Sequence, residues 1–227
     1  MRFLALALVL LAWPATAIAD MRATWRGLHD GSRWTAEVAD NGDARFEQDG
    51  QEFYMLRSGG ETHAVYTAIS GGLRVVRVRD LERIMAERGI GPLEQVRLAG
   101  TLVRRGEVVV GGQRGQAYYL QTEAGLVTQR PAFVVSRDPA IARLGELLGE
   151  QLDFSIATIR IGGRAPPGNL VLMRRLMEGG VPLLFGGYSL EMVETAPIAA
   201  ERFRMPAPAM TIEALRRQNG PPPPAAQ

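Results

Sequence analysis

A chain of 227 residues, 46% apolar and 22% charged, has the make-up of a globular protein with one substantial core and suggests neither an intrinsically disordered chain nor a membrane-embedded body. Cysteine is absent, which excludes disulfides, thiolate nucleophiles and cysteine-held zinc or iron–sulfur centres. Every Lys/Arg position is arginine, which excludes lysine Schiff-base chemistry and a complete P-loop. The net charge of +2 comes with no concentrated basic run, so nucleic acid is not an expected partner.

Residues 1–19 read as a cleavable secretory signal peptide. Arg2 precedes the apolar run Phe3 to Trp13, and Ala17 and Ala19 are the small residues a signal peptidase reads, so cleavage is expected after Ala19. Pro14 and the small residues behind it keep that run short of the roughly 18 apolar residues a membrane span takes. The mature chain is therefore expected to be periplasmic and not membrane-spanning, and without cysteine it has no lipoprotein anchor.

From residue 20 onward a single β-rich domain is expected, reaching to about residue 210. Asp30-Gly31, Asn41-Gly42, Asp49-Gly50, Gly59-Gly60 and Gly71-Gly72 recur about every ten residues, the spacing of hairpin turns in an antiparallel meander. Between them the chain alternates as half-buried strands do. Met21, Ala23 and Trp25 oppose Arg22, Thr24 and Arg26, and Trp34, Ala36 and Val38 share a face. Further strands are expected at Arg45–Gln48, Glu52–Arg57, Thr62–Ile69 and Leu73–Val78. A short helix over Leu81–Arg88, capped by Asp80 and closed by Gly89, comes next.

Strand patterns resume at Gln95–Val103, Glu107–Val110, Gln116–Gln121 and Ala132–Ser136. Then the period changes. Ile141, Leu144, Leu147, Leu148 and Leu152 line one face of an amphipathic helix started by Asp138-Pro139, and Asn169–Glu178 is a second helix stopped by Gly179-Gly180. Residues 154–167 fit neither period. Strands return at Pro182–Phe185, Tyr188–Thr195 and Arg202–Met205, and residues 211–227 form a short helix and a flexible proline-rich tail.

No residue pattern specifies catalysis. His29 and His63 fit polar turn and strand positions, no serine sits in a nucleophile elbow, and no metal-ligand spacing occurs. Val110-Gly111-Gly112-Gln113-Arg114-Gly115 has the look of a phosphate loop, but a strand follows instead of a helix, so a tight turn is expected. The arginines from Arg74 to Arg88 are interleaved with Asp80, Glu82 and Glu87, as on a solvated, ion-paired face. Glu191, Glu194 and Glu201 read as surface charge. One collective feature remains. Trp25, Trp34, Phe46, Phe53, Met55, Tyr66 and Tyr119 fit one sheet face, with Met173 and Met177 on a covering helix; the set suits an apolar ligand and equally suits a core.

Three passages together resemble the periplasmic lipoprotein-carrier superfamily: the amino-terminal meander, the segment from Leu98-Ala99-Gly100 through Val110-Gly111-Gly112-Gln113 to Ala117-Tyr118-Tyr119-Leu120, and Gly180-Val181-Pro182-Leu183 leading to Phe203-Arg204-Met205-Pro206. The resemblance implies an α+β fold in which a strongly curved antiparallel sheet, a half-barrel, is covered on its concave side by a few helices. It also implies a cavity for a lipid or acyl chain. The expectation is thus a non-enzymatic envelope protein binding an apolar molecule without a cofactor. Two other readings stay open: a structural or adaptor protein engaging an envelope partner through a strand edge or the tail, and an enzyme whose titratable groups converge only in the fold.

Overall fold

The computed structural model describes residues 19–69, 71–90, 101–122 and 124–219. The signal peptide up to Ile18, the start of the strand expected at Gln95–Val103 and the proline tail lie outside the described residues. The rest is an α+β fold with one antiparallel sheet of 11 strands, not closed, and four α-helices.

Six strands come first: β1 (Met21–Gly27), β2 (Arg33–Val38), β3 (Ala44–Gln48), β4 (Phe53–Ser58), β5 (Glu61–Thr67) and β6 (Leu73–Arg77). They are joined by the glycine turns the sequence marks, Gly42 for example at φ +91° where a side chain would be strained. Helix α1 (Val78–Glu87), strands β7 (Thr101–Val110), β8 (Gln113–Gln121) and β9 (Phe133–Ser136), and helices α2 (Ala142–Ile161) and α3 (Gly168–Leu176) follow. Strands β10 (Val181–Phe185) and β11 (Tyr188–Thr195), a 3-10 turn at Ala200–Phe203 and α4 (Ile212–Asn219) complete the fold. The order across the sheet is β6-β5-β4-β3-β2-β1-β11-β10-β9-β8-β7, so the meander and the later strands meet where β11 pairs with β1.

Directly opposed residues point the same way, and one row crosses the whole meander: Ala23, Ala36, Phe46, Met55, Ala64 and Val76. Its alanines let α2 lie close. Leu144, Leu147, Leu148 and Leu152 of α2 join Trp25, Phe46, Met55, Leu183 and Phe185 in the main core. The approach is tightest at Gly145, where a Cβ would stand 2.3 Å from the Gly180 carbonyl oxygen. Across the sheet, Gly111 at the β7–β8 turn touches β11; a Cβ there would stand 2.7 Å from the Leu190 carbonyl oxygen.

The chain after β11 crosses the sheet's outer face. Ile198 and Phe203 pack on Leu56, Val65 and Val75. Arg202 and Arg22 both hold the Glu37 carboxylate, whose side chain is only 3% exposed, at 2.8 and 2.9 Å. The Met210 N–H then donates to Val75 O on edge strand β6, and α4 turns over that edge so that Leu215 packs with Val76, Leu81, Ile84 and Ala157 on the helix side.

Four local expectations are corrected. Helix α1 starts at Val78, directly from β6, so Asp80 lies in its first turn and facing Arg77 rather than capping it. The strands expected at 95–103 and 107–110 form one strand over their described residues, bulged between Arg104 and Glu107, where Gly106 absorbs the extra residue. Helix α2 starts at Ala142 and runs on to Ile161, through half of the segment that fits neither period. Arg202–Met205 is not a strand, because Arg202 is tied to Glu37 and Glu47 over a 3-10 turn and prolines 206 and 208 cannot donate to a ladder.

Candidate functional site

The aromatic rows and α2 together define the candidate site. Trp25, Trp34, Phe46, Phe53, Met55 and Tyr66 all project from the α2 side of the meander, as their alternation predicts. Their surroundings differ along the face. Trp25, Phe46 and Met55 are sealed in the core; Trp25 is edge-on to Phe46 and Phe185 at 6.5 and 6.3 Å, and its indole N–H donates to Pro182 O at 2.7 Å. Trp34 packs on Phe46, with ring centroids 4.8 Å apart, and on Tyr188. Met173 of α3, and Met177 just past its end, are core residues as well. Tyr119 shares the parity of Ala117 on β8, half-buried, with the Arg105 guanidinium 5.8 Å from its ring; it stands on the other wing of the sheet, away from the meander aromatics.

Phe53 and Tyr66 stand where packing gives out. They are directly opposed on β4 and β5 and wall a cavity of about 340 Å³ with Val76 of β6, Leu81 of α1, Phe154, Thr158 and Ile161 of α2, and Leu215 and Gln218 of α4. Phe53 also meets Phe154, centroid to centroid, at 5.5 Å. On the far side of Phe53 a second cavity of about 120 Å³ is lined by Trp34, Phe46, Glu47, Gln48, Gln51, Phe53 and Gln151. Gln151, Phe154, Thr158 and Ile161 recur at helical spacing, so one stripe of α2 runs along both cavities.

Charges hold this roof in place. Arg57, projecting from β4 beneath α2, meets Glu146 at 3.0 Å and Glu150 at 2.8 Å, and Thr62 donates to Glu150 as well. Burial works against the Arg57 charge, but Glu150 and Glu146 outweigh it and raise its pKa. Arg174 of α3 meets Asp153 of α2 at 2.7 Å, and Arg216 of α4 meets Glu87 of α1. Beneath the outer strap, burial alone would push the Glu47 carboxyl up, yet hydrogen bonds from Arg202 and Arg45 bring it below the ordinary carboxylate value.

Two other concavities carry charged side chains. Gly145, Gly149, Asp153 and Arg174 line one between α2 and α3; Arg104, Arg114 and Arg137 face Glu107 and Asp138 in another beside β8. In the α1 region Arg83 pairs with Glu87 as expected, while Arg77 and Arg79 both reach Glu61 of β5, which the sequence did not single out. His29 lies at the first turn and His63 is buried on β5, while Glu191 and Glu194 pair with surface arginines. The Gly111-Gly112 pair forms the tight β7–β8 turn, not a phosphate loop.

Phe154, Thr158, Ile161, Leu215 and Gln151 escaped the sequence reading. The first three were legible in principle, since they continue the α2 face at i, i+4 and i+7. Leu215 was not, because nothing local says that α4 crosses the sheet edge.

Compared with family models, curated proteins and solved structures, the chain matches none of them.

Proposed function

We propose that this chain is an exported, non-enzymatic envelope protein that holds a small apolar molecule in the hollow between β4–β6 and helices α1, α2 and α4. The observation that carries the reading is the cavity of about 340 Å³ walled by Phe53, Tyr66, Val76, Leu81, Phe154, Ile161 and Leu215. That volume falls within the about 300–1,000 Å³ usual for small-molecule sites, and aromatic and aliphatic walls favour an apolar guest by removing its surface from water. A single short acyl chain or a two-ring aromatic suits the space. Export rests on the signal peptide of residues 1–19.

The likeness to lipoprotein carriers supports the same reading. Four strand steps would hold β7 and β11 on the order of 19 Å apart in a flat sheet. A strongly curved half-barrel would explain why Gly111 nevertheless sits against Leu190. Helices over its concave side would then enclose the hollow. Large lipoprotein cargo does not follow, because the Trp25 end of the face is filled by the leucines of α2.

Titration with N-phenyl-1-naphthylamine, a neutral dye that brightens in apolar surroundings, tests the proposal. One saturable site is expected in the wild-type protein, and Tyr66→Arg should weaken it at least tenfold by placing a charge in the wall. Brightening that never saturates, or that Tyr66→Arg leaves unchanged, would overturn it.

A further inference from the structure

Resting on that reading, we infer that the guest is an uncharged amphiphile: its apolar part fills the larger cavity, and a small neutral hydrogen-bonding group, such as an alcohol, ester or amide, fills the one beside Trp34. The two cavities share Phe53 and lie along one stripe of α2. Both are lined mainly by apolar surface, and they differ in their polar groups: Thr158 and Gln218 in the larger, three glutamines, Gln48, Gln51 and Gln151, in the smaller.

Gln151 is the telling member. It sits on the buried side of α2 with 9% exposure, among leucines that fill the core, and its side-chain amide donates to Ser155 Oγ at 3.3 Å. A primary amide has two donor hydrogens and an acceptor oxygen, so this contact leaves capacity for a guest. Trp34, also in the wall, has a buried indole N–H with no partner among the described residues. Its nitrogen is sealed from the cavity, so the glutamine amides carry the recognition of a guest.

The charge of the guest follows from what the wall lacks. Among the described residues no arginine or histidine lines the smaller cavity, so a carboxylate or phosphate buried there would have no counter-ion. Among the described residues its one charged member is Glu47, whose carboxylate is already held by Arg45 and Arg202, so a cationic head would find no free anion. Amides alone remain, and they recognise a neutral polar group of a few heavy atoms, which is what about 120 Å³ accommodates.

Displacement of N-phenyl-1-naphthylamine by three ten-carbon competitors at pH 8, decan-1-ol, decanoate and decyltrimethylammonium, tests the assignment. Decan-1-ol should displace the dye at roughly tenfold lower concentration than either ion. Gln151→Leu should cost decan-1-ol several-fold in affinity. Gln51 lies in an exposed turn where substitution spares the core, and Gln51→Arg should move the preference towards decanoate by supplying the missing cation. If decanoate matches decan-1-ol on the wild-type protein, or Gln51→Arg leaves their ratio unchanged, the headgroup assignment is overturned while dye binding still stands. Dye that never binds overturns both this assignment and the cavity reading.

Discussion

The two ends of one sheet face, both built from aromatic residues and both lying under α2, reach opposite outcomes. At the Trp25 end the alanine row brings the helix down, and Leu144, Leu147, Leu148 and Leu152 fill the space between the strands. At the Tyr66 end the stripe of α2 changes to Gln151, Phe154, Thr158 and Ile161, α1 and α4 join the roof, and a hollow remains. Aromatic content therefore does not separate core from cavity; the size and shape of what faces each aromatic does.

Truncation should expose the contrast most strongly. Trp25→Ala removes a fully buried ring and its hydrogen bond to Pro182, and should cost about 3–5 kcal/mol in urea denaturation. Tyr66→Ala, in a wall already short of neighbours, should cost about 1 kcal/mol, because little packing is lost. Equal losses would mean that the hollow is as tightly filled as the core.

Enlargement should act in the reverse sense. Ala36→Leu pushes into the alanine row under α2 and should destabilise by about 1–3 kcal/mol. Thr158→Leu grows into the larger cavity and should leave stability within about 0.5 kcal/mol while blocking dye binding. A Thr158→Leu protein that binds dye normally would place the dye elsewhere.

The outer strap bears on the comparison because it delivers α4 to the hollow end. Arg202→Ala leaves the buried Glu37 with Arg22 alone and frees Glu47 from one partner. Since Arg202 itself is partly exposed, a loss of about 1–2 kcal/mol is expected, together with weaker dye binding as α4 loosens. Unchanged dye binding would show that α4 keeps its place without this anchor.

Smallest is the pH effect at His63. Burial lowers its pKa, with Glu61 opposing and Arg77 adding to the shift, so the folded state favours the neutral ring. The stability this contributes is fully present above the ordinary value near 6.5 and is lost as pH falls from there through the folded pKa. His63→Gln should flatten that part of the stability curve. Glu47, whose pKa is lowered, acts in a different window: its contribution holds above the ordinary value near 4.5 and is lost as pH falls through the folded value. An unaltered slope below about pH 6.5 in His63→Gln would count against this assignment.

Much of the meander was legible because its turns need glycine's positive φ and its strands alternate with period two, both local properties. The same parity placed six aromatic and methionine side chains on one face. Where α2 would end was obscured by Ile156, Ile159 and Ile161, whose β-branched side chains suit strands as well as helices. The turn at Arg202 escaped because its cause is the distant pair Glu37 and Glu47. Above all, the division of one face into solid and hollow ends depends on how far α2 rides over the sheet and on α4 arriving round an edge, and neither distance is written in local pattern.

Methyl NMR of the protein titrated with decan-1-ol addresses the hollow end most directly. Signals of Val76, Leu81, Ile161 and Leu215 should shift and saturate together, while those of Leu144, Leu147 and Leu183 in the filled end stay in place. Shifts centred on the filled end, or none at any methyl up to the solubility of the alcohol, would contradict a guest site at the hollow end.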